Sequence, residues 1–117
     1  MDDALAEIAA GIEAATGRNR FVDEKLTLLF RAANPDDPFF DDFNAYSGSI
    51  DNSVTLIEHV LPGWVWLKKS EFVATLVEPL TAQQEANKAW PNQYSGKGAT
   101  FALSLLAALV TVLKDGP

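Results

Sequence analysis

The sequence contains no cysteine, which excludes disulfides, thiol catalysis and cysteine-ligated zinc. Its one histidine, His59, stands beside Glu58 on a predicted helix, with no nearby serine that suggests a nucleophile. No Lys or Arg occurs between Ala32 and Leu67, and the most apolar stretch, Ala99 to Leu113, is too short for a membrane span. We therefore expect a protein that is not an enzyme, holds no cofactor and does not contact a membrane.

The composition, with 48% hydrophobic and 21% charged residues over 117 positions, is typical of one globular domain spanning residues 1–117. The formal net charge of −7 disfavours direct binding of nucleic acid, which needs Lys and Arg to neutralise phosphates. The Met-Asp-Asp start places no basic residue ahead of an apolar stretch, so we expect no secretory signal and a cytoplasmic location.

Helical spacing of apolar residues predicts four helices, at about Ala4–Thr16, Val22–Ala33, Ile50–Leu61 and Phe101–Lys114. Ser49 and Thr100 are the predicted N-caps of the last two helices. Gly17 stands where a left-handed C-terminal cap of the first helix is expected. The last helix is apolar nearly all round, which predicts burial on more than one side.

Alternation of apolar residues predicts strands at Trp64–Leu67 and Phe72–Glu78, with Lys68–Ser70 as their connection. Trp64 and Trp66 share one strand face, and we expect that face to pack on the last helix. Thr81 to Tyr94 is less regular, and holds either a third strand near Ala89 and Trp90 or a short helix before Pro91. The predicted fold is α+β, a small antiparallel sheet of two or three strands packed by helices in the order α-α-α-β-β-(β)-α.

The turn Gly96–Gly98 precedes a helix start, as a phosphate-binding loop does. The Walker spacing fails, because no glycine lies five residues before Gly96 and neither Ser nor Thr follows Lys97. A double-stranded-RNA-binding domain ends in a similar arrangement but needs a basic cluster, and only Lys97 is present. These comparisons favour plain turn chemistry at this position.

Three motifs together resemble the small phage and prophage proteins of the phage ABA sandwich type. A Ser-Ile-Asp element at Ser49–Asp51 leads to the Gly-Trp-x-Trp strand at Gly63–Trp66, and Gly96–Thr100 gives the Gly-x-x-Ala-Thr helix start. The resemblance covers about Tyr46 to Leu113. It implies a phage context and no known reaction.

The acidic loop, Pro35 to Tyr46, interleaves aspartates with phenylalanines. Its phenylalanines either plug the core while the aspartates stay solvated, or form a docking surface whose carboxylates imitate phosphates and meet a basic partner. The aspartates lack the alternate spacing and glycine of an EF-hand, so no metal site is predicted. The candidate partner-binding residues are Asp36, Asp37, Phe39, Phe40, Asp41, Asp42 and Phe43, joined by Trp90 from the polar stretch beside Pro91.

The preferred hypothesis is a non-catalytic phage accessory protein that binds and inhibits a host protein with a basic surface. A CRISPR effector, or another nucleic-acid-binding complex, is the most concrete target, which would make the protein an anti-CRISPR-type inhibitor. One alternative is a self-associating or virion-associated domain, since an apolar last helix can complete its burial in a homodimer. Another is an antitoxin-like binding partner, because strands followed by a helix occur in such proteins.

Overall fold

The computed structural model describes residues 2–115, which form a three-stranded antiparallel sheet packed by helices. The predicted α+β fold is confirmed. In chain order the elements are α1 (Asp2–Ala14), α2 (Arg20–Ala33), α3 (Ile50–Val60), β1 (Val65–Ser70), β2 (Val73–Val77), α4 (Ala82–Ala86), β3 (Gln93–Lys97) and α5 (Phe101–Asp115), with 3₁₀ turns at Pro38–Phe40 and Tyr46–Gly48.

The sheet has the strand order β1-β2-β3, so β1 and β3 are its edges. Antiparallel pairing places Trp66 opposite Leu76, and Leu76 opposite Tyr94. The Trp66 ring lies 5.8 Å from the ring of Phe101 in α5, so these paired residues mark the face that α5 covers. Trp64 lies beside Tyr94 at 5.7 Å. The expected packing of the tryptophan face on the last helix is confirmed, with Trp66 still 37% exposed because β1 is an edge strand.

The first strand is longer than predicted. Lys68–Ser70 belongs to β1, and the hairpin turns at Glu71 and Phe72 instead. All six residues of β1 are exposed, so charged side chains fit there without a burial cost, and lysines on an edge strand also discourage pairing with other chains. The apolar alternation used to place the strand end therefore underestimated its length.

The third strand, β3, lies C-terminal to the position predicted near Ala89 and Trp90, and includes part of the segment interpreted as a turn. Gly96 in β3 and Gly98 just after it let α5 approach the sheet closely. A Cβ on Gly96 would lie 2.1 Å from the backbone nitrogen of Ala108, and one on Gly98 2.6 Å from that of Ser104. A glycine in a strand often marks such a close approach. The alternative prediction for this region, a short helix before Pro91, is met by α4.

The helix starts follow the expected capping chemistry. The Ser49 hydroxyl accepts from the backbone N–H of Asn52 at 3.1 Å, and the Thr100 hydroxyl from that of Leu103 at 3.2 Å, so both predicted caps are confirmed. The prediction that Gly17 adopts a left-handed conformation as the C-terminal cap of the first helix is wrong. Among residues 2–115, the glycine with a positive φ is Gly63, at 87°. Helix α1 ends at Ala14, three residues before Gly17.

Helix α5 lies at the centre of the molecule. It packs on the sheet and also contacts α1 and α3, and ten of its fifteen residues are buried. The prediction that it is buried on more than one side is confirmed within a single chain. No helix of residues 2–115 combines the length and the apolar composition needed to cross a membrane.

Candidate functional site

Arg31, in the last turn of α2, fixes the shape of the acidic loop. Its Nε donates to the carbonyl oxygen of Phe40 at 2.7 Å and its Nη2 to that of Asp41 at 3.0 Å. The same guanidinium lies 5.2 Å from the centre of the Phe43 ring. Because Arg31 binds main-chain carbonyls, it positions the loop without neutralising a loop carboxylate.

Asp37 caps the 3₁₀ turn at Pro38–Phe40. Its Oδ1 accepts from the backbone N–H of Phe39 at 3.0 Å, and Pro38 occupies the first position of the turn, where its missing N–H costs nothing. This turn directs Phe39 and Phe40 towards the protein while the neighbouring aspartates point outwards. The loop thus has one aromatic side and one acidic side.

Phe40 is fully buried and stacks on Phe30 of α2, with the ring centres 5.4 Å apart. Phe39 is half-buried and meets the Phe40 ring edge-on at 5.0 Å. Phe40 therefore belongs to the core, as the first interpretation of the loop expects, and its side chain presents no surface to a partner. Phe43 is 53% exposed and remains available as an aromatic anchor.

Asp36, Asp41 and Asp42 are exposed on the outer side of the loop. Within residues 2–115 none of these carboxylates has a Lys, Arg or His side chain at salt-bridge distance. The loop therefore presents three carboxylates that are charged and solvated but unpaired. Desolvating them on binding is favourable only if a partner supplies cations.

Asp37 has a different environment from the other loop aspartates. Its Oδ2 lies 2.6 Å from Nε2 of His59 in α3, and the His59 ring stacks on Phe39 with the ring centres 4.1 Å apart. An ionised carboxylate only accepts hydrogen bonds, so Nε2 carries the hydrogen. The hydrogen bond from His59, followed by that from the Phe39 N–H, lowers the pKa of Asp37 below its ordinary value of 3.8.

A pocket of about 300 Å³ opens beside the Asp37–His59 pair. Its walls come mainly from apolar residues of α1, α2, α3 and α5, and its polar lining is Asn34, Asp37 and His59. Among the described residues, no Ser, Thr or Lys lines this pocket, so the Asp–His pair has no nucleophile to activate there. Nor do three Asp, Glu or His side chains of residues 2–115 gather as a metal-binding cluster.

Trp90 is 90% exposed, in the segment between α4 and β3. Its side chain is thus accessible to a partner, while its role in binding stays a prediction. Its segment joins the sheet, where Asn92 bonds Glu78 at 3.0 Å, whereas the acidic loop packs on α2 and α3. Trp90 is thus not among the residues that the loop contacts.

A second polar contact holds the far end of the acidic loop. Asp23, buried in α2, accepts from the backbone N–H of Ser47 at 2.8 Å, and the Ser47 hydroxyl accepts from the N–H of Asn19 at 2.7 Å. Burial raises the pKa of Asp23 above its ordinary value, outweighing the lowering by the Ser47 hydrogen bonds and by the charge of Arg18. The loop is therefore tied to α2 in its middle, through Arg31, and where it ends, through Asp23.

The sequence interpretation missed Arg31, the pairing of Asp37 with His59, and the Asp23–Ser47 contact. A local signal existed for Asp37 alone, because an Asp directly before Pro is typical of a capped helical turn. The other contacts join residues that lie 9 to 24 positions apart, and no spacing rule links them.

Comparisons of the chain with protein-family models, with curated proteins and with solved structures found no significant match. The function is therefore inferred from the residues of the acidic loop, from the neighbouring pocket and from the motifs between Tyr46 and Leu113.

Proposed function

We propose that this protein is a non-catalytic phage or prophage accessory protein that binds and inhibits a host protein of a nucleic-acid-handling or defence system. An anti-CRISPR-type inhibitor acting in the host cytoplasm is the most concrete form. The observation that carries the proposal is the set of three exposed carboxylates, Asp36, Asp41 and Asp42, which form no salt bridge within residues 2–115 and lie on a loop held by Arg31. The resemblance to phage ABA sandwich-type proteins supports the phage setting.

The rigidity of the loop favours binding. Arg31 fixes the loop at Phe40 and Asp41, and the Asp23–Ser47 contact fixes the chain where the loop ends. A surface that is ordered before association loses less conformational entropy on binding than a flexible one. The acidic loop therefore suits a partner whose cations are equally fixed, as in a groove that binds nucleic acid.

Charge selects the partner class. The loop lies in a stretch of 36 residues, Ala32 to Leu67, that contains six acids and no Lys or Arg, within a chain of net charge −7. Such a field accelerates encounter with a basic surface and repels nucleic acid itself. Spaced carboxylates can occupy positions that phosphates would take, so the protein would compete with nucleic acid for the partner's Lys and Arg.

Aromatic side chains beside the carboxylates would supply the apolar part of the contact. Phe43 is the strongest candidate, because it is 53% exposed and the Arg31 guanidinium supports one side of its ring. Large aromatic residues often contribute a disproportionate share of binding energy at the centre of an interface. Trp90 is exposed as well but belongs to the sheet side of the molecule, so it would make a separate contact.

The proposal is tested by capturing partners with the tagged protein from a nuclease-treated bacterial lysate, washed at low and at high salt. The expected result is one nucleic-acid-handling complex, retained at low salt and partly lost at high salt because salt screens exposed charge pairs. Double-stranded DNA added to the captured complex should then release the protein. A captured complex that DNA fails to displace would contradict competition for a nucleic-acid groove.

Self-association is a second candidate function, as a homodimer or within a phage particle. The last helix no longer motivates it, because one chain buries α5. The edge strand motivates self-association instead, because it leaves apolar side chains exposed. These are Val65 (54% exposed) and Leu67 (40%) of β1 and Phe72 (55%) in the hairpin turn. Sedimentation at high micromolar concentration tests this candidate, and a strictly monomeric protein would exclude the dimer.

A variant pair sharpens that measurement. Val65→Lys with Leu67→Lys places charges on the open side of β1, whereas Leu28→Lys places one at an exposed apolar position of α2. If β1 forms the dimer, only the β1 variant becomes monomeric, because lysines oppose each other across an edge-to-edge pairing.

A further inference from the structure

The pocket beside the Asp37–His59 pair has the composition of a binding site for one side chain and an adjacent charge. Its volume of about 300 Å³ lies at the small end of the roughly 300–1,000 Å³ range of ligand pockets. Leu29 and Ala33 of α2, Val60 of α3 and Leu113 of α5 contribute its apolar walls. Asp37 and His59 are the ionisable groups among the described residues that line it.

We propose that this pocket receives an apolar side chain of the basic partner, while a Lys or Arg next to that side chain in the partner binds Asp37. This inference rests on the proposed function, and it adds a second, chemically defined contact to the acidic loop. It assigns the partner a local sequence in which a large apolar residue adjoins a cation.

The apolar walls of the pocket indicate that the partner's inserted side chain is apolar. Leu29 and Val60 are half-buried, so they keep apolar surface that the protein itself does not cover. An apolar side chain entering the pocket would remove this surface from water together with its own. The pocket's small size limits the occupant to a single side chain such as Leu, Met or Phe.

The environment of Asp37 indicates that the adjacent partner residue is a cation. Each oxygen of its carboxylate accepts one hydrogen bond, Oδ1 from the Phe39 N–H and Oδ2 from His59, so each still has acceptor capacity. Asp36 directly precedes Asp37 and is exposed, and no Lys or Arg of the described chain lines the pocket. An incoming cation would therefore meet two carboxylates, and an incoming carboxylate would be repelled by them.

The acidic loop and the pocket form one continuous surface, because Asp37 belongs to both. His59 stacks on Phe39, and Phe39 lies on the inner side of the same 3₁₀ turn whose outer neighbours are Asp36 and Asp41. A partner that binds Asp36 and Asp41 through its cations is thus brought directly to the mouth of the pocket.

The first test uses capped dipeptides as probes and the ¹⁵N-labelled full chain in nuclear magnetic resonance titrations, up to about 20 mM because such probes bind weakly. Acetyl-Leu-Arg-amide is the matching probe, acetyl-Leu-Glu-amide reverses its charge, and acetyl-Gly-Arg-amide removes its side chain. We expect acetyl-Leu-Arg-amide to shift the amide signals of Ala33, His59 and Val60, with each control binding at least about fivefold more weakly. Equal binding of the Arg and Glu probes, or no shift at the pocket, would overturn the inference.

Two pairs of variants locate the contact. Ala32 and Ala33 are adjacent, exposed residues at the end of α2, and only Ala33 lines the pocket. Ala33→Phe should fill the pocket and weaken acetyl-Leu-Arg-amide binding about tenfold, whereas Ala32→Phe should leave it unchanged. Asp37→Asn should reduce the preference for Arg over Glu more strongly than Asp36→Asn does, because Asp37 lines the pocket and Asp36 lies beside it. Equal binding to both phenylalanine variants would contradict the assigned position.

The inference and the proposed function fail in different ways. Ala33→Phe and an Asp36→Lys, Asp41→Lys double variant can be compared for binding to the captured host complex. Loss of binding in Ala33→Phe alone would retain the pocket and reject the outer carboxylates. Loss in the double variant alone would retain the acidic loop and reject the pocket as a docking site. The inference predicts that both variants lose affinity.

Discussion

Oδ2 of Asp37 and Nε2 of His59 lie 2.6 Å apart, although the two residues are 22 positions apart in the chain. This hydrogen bond joins the acidic loop to α3, and the Phe39 ring stacks on the His59 ring beside it. The contact has two consequences, since it holds the loop against the protein and it forms the polar rim of the neighbouring pocket.

Acid should weaken the link between the acidic loop and α3. The pKa of Asp37 is lower in the folded protein than its ordinary value of 3.8, so the folded state binds the Asp37 proton less tightly than the unfolded state. The stability that this carboxylate contributes is therefore complete above about pH 4 and is lost as the pH falls through the folded pKa. Asp37→Asn has no carboxyl group to protonate at this position, so its free energy of unfolding should fall less steeply than that of the wild type as the pH is lowered.

Urea unfolding between about pH 2 and pH 6 measures the difference. Asp36→Asn is the matched control, since it removes a neighbouring exposed carboxylate that has no His partner, and it should follow the wild type. If the wild type and Asp37→Asn keep a constant difference over this range, the Asp37–His59 link does not stabilise the fold.

Asp23 should show the opposite dependence on pH. Burial raises its pKa above the ordinary value of 3.8, so the folded state binds this proton more tightly than the unfolded state. Ionisation of Asp23 therefore lowers stability as the pH rises from about 4 through the folded pKa. Asn cannot ionise and its amide oxygen can still accept from the Ser47 N–H, so Asp23→Asn should gain on the wild type as the pH rises.

The same urea series, extended to about pH 8, checks this second prediction. The gain should level off once the wild-type carboxyl is fully ionised. A difference that moves in the same direction as that of Asp37→Asn would contradict the assigned role of burial.

Two phenylalanines of the acidic loop should behave in different ways when truncated. Phe40 is fully buried against Phe30, so Phe40→Ala should lower the free energy of unfolding by about 3–5 kcal/mol. Phe43 is 53% exposed and is supported by Arg31, so Phe43→Ala should cost less than about 1 kcal/mol and mainly weaken partner binding. Chemical denaturation measures both values, and a large loss of stability in Phe43→Ala would make Phe43 a structural residue.

The close contact of α5 with β3 depends on Gly96. A methyl group there would collide with the backbone of Ala108, which cannot move aside as a flexible side chain can. Gly96→Ala should therefore lower stability by about 2–3 kcal/mol. Gly17→Ala, with no atom within 4 Å of its Cβ, should leave stability unchanged or raise it by up to about 1 kcal/mol. Similar melting temperatures for the two variants would contradict the close approach.

The helices were predicted from the sequence more accurately than the sheet. Helical periodicity and the caps at Ser49 and Thr100 are local signals, and both were sufficient to place α3 and α5. The strand β3 was misplaced because Gly96 was interpreted through turn chemistry, whereas its role depends on Ala108, twelve positions away in α5. Strand position is a tertiary property wherever close packing, and not apolar alternation, selects the residues.

The candidate site was predictable in part. The density of Asp and Phe located the acidic loop, but composition alone could not separate Phe40 from Phe43. That separation comes from the 3₁₀ turn, which sends Phe40 into the core, and from Arg31, which supports Phe43 at the surface. His59 showed no role in the sequence because its partner, Asp37, lies on another element.

The most direct test of the central claim is a charge-reversal pair, measured for binding to the host complex that the wild type captures. Asp36→Lys with Asp41→Lys reverses two loop carboxylates, and Glu71→Lys with Glu85→Lys makes the same change of net charge at exposed positions of the hairpin turn and α4. We predict that the loop variant folds but binds at least about tenfold more weakly, while the control binds as the wild type does. Equal affinities of the two folded variants would contradict a role for the acidic loop in partner binding.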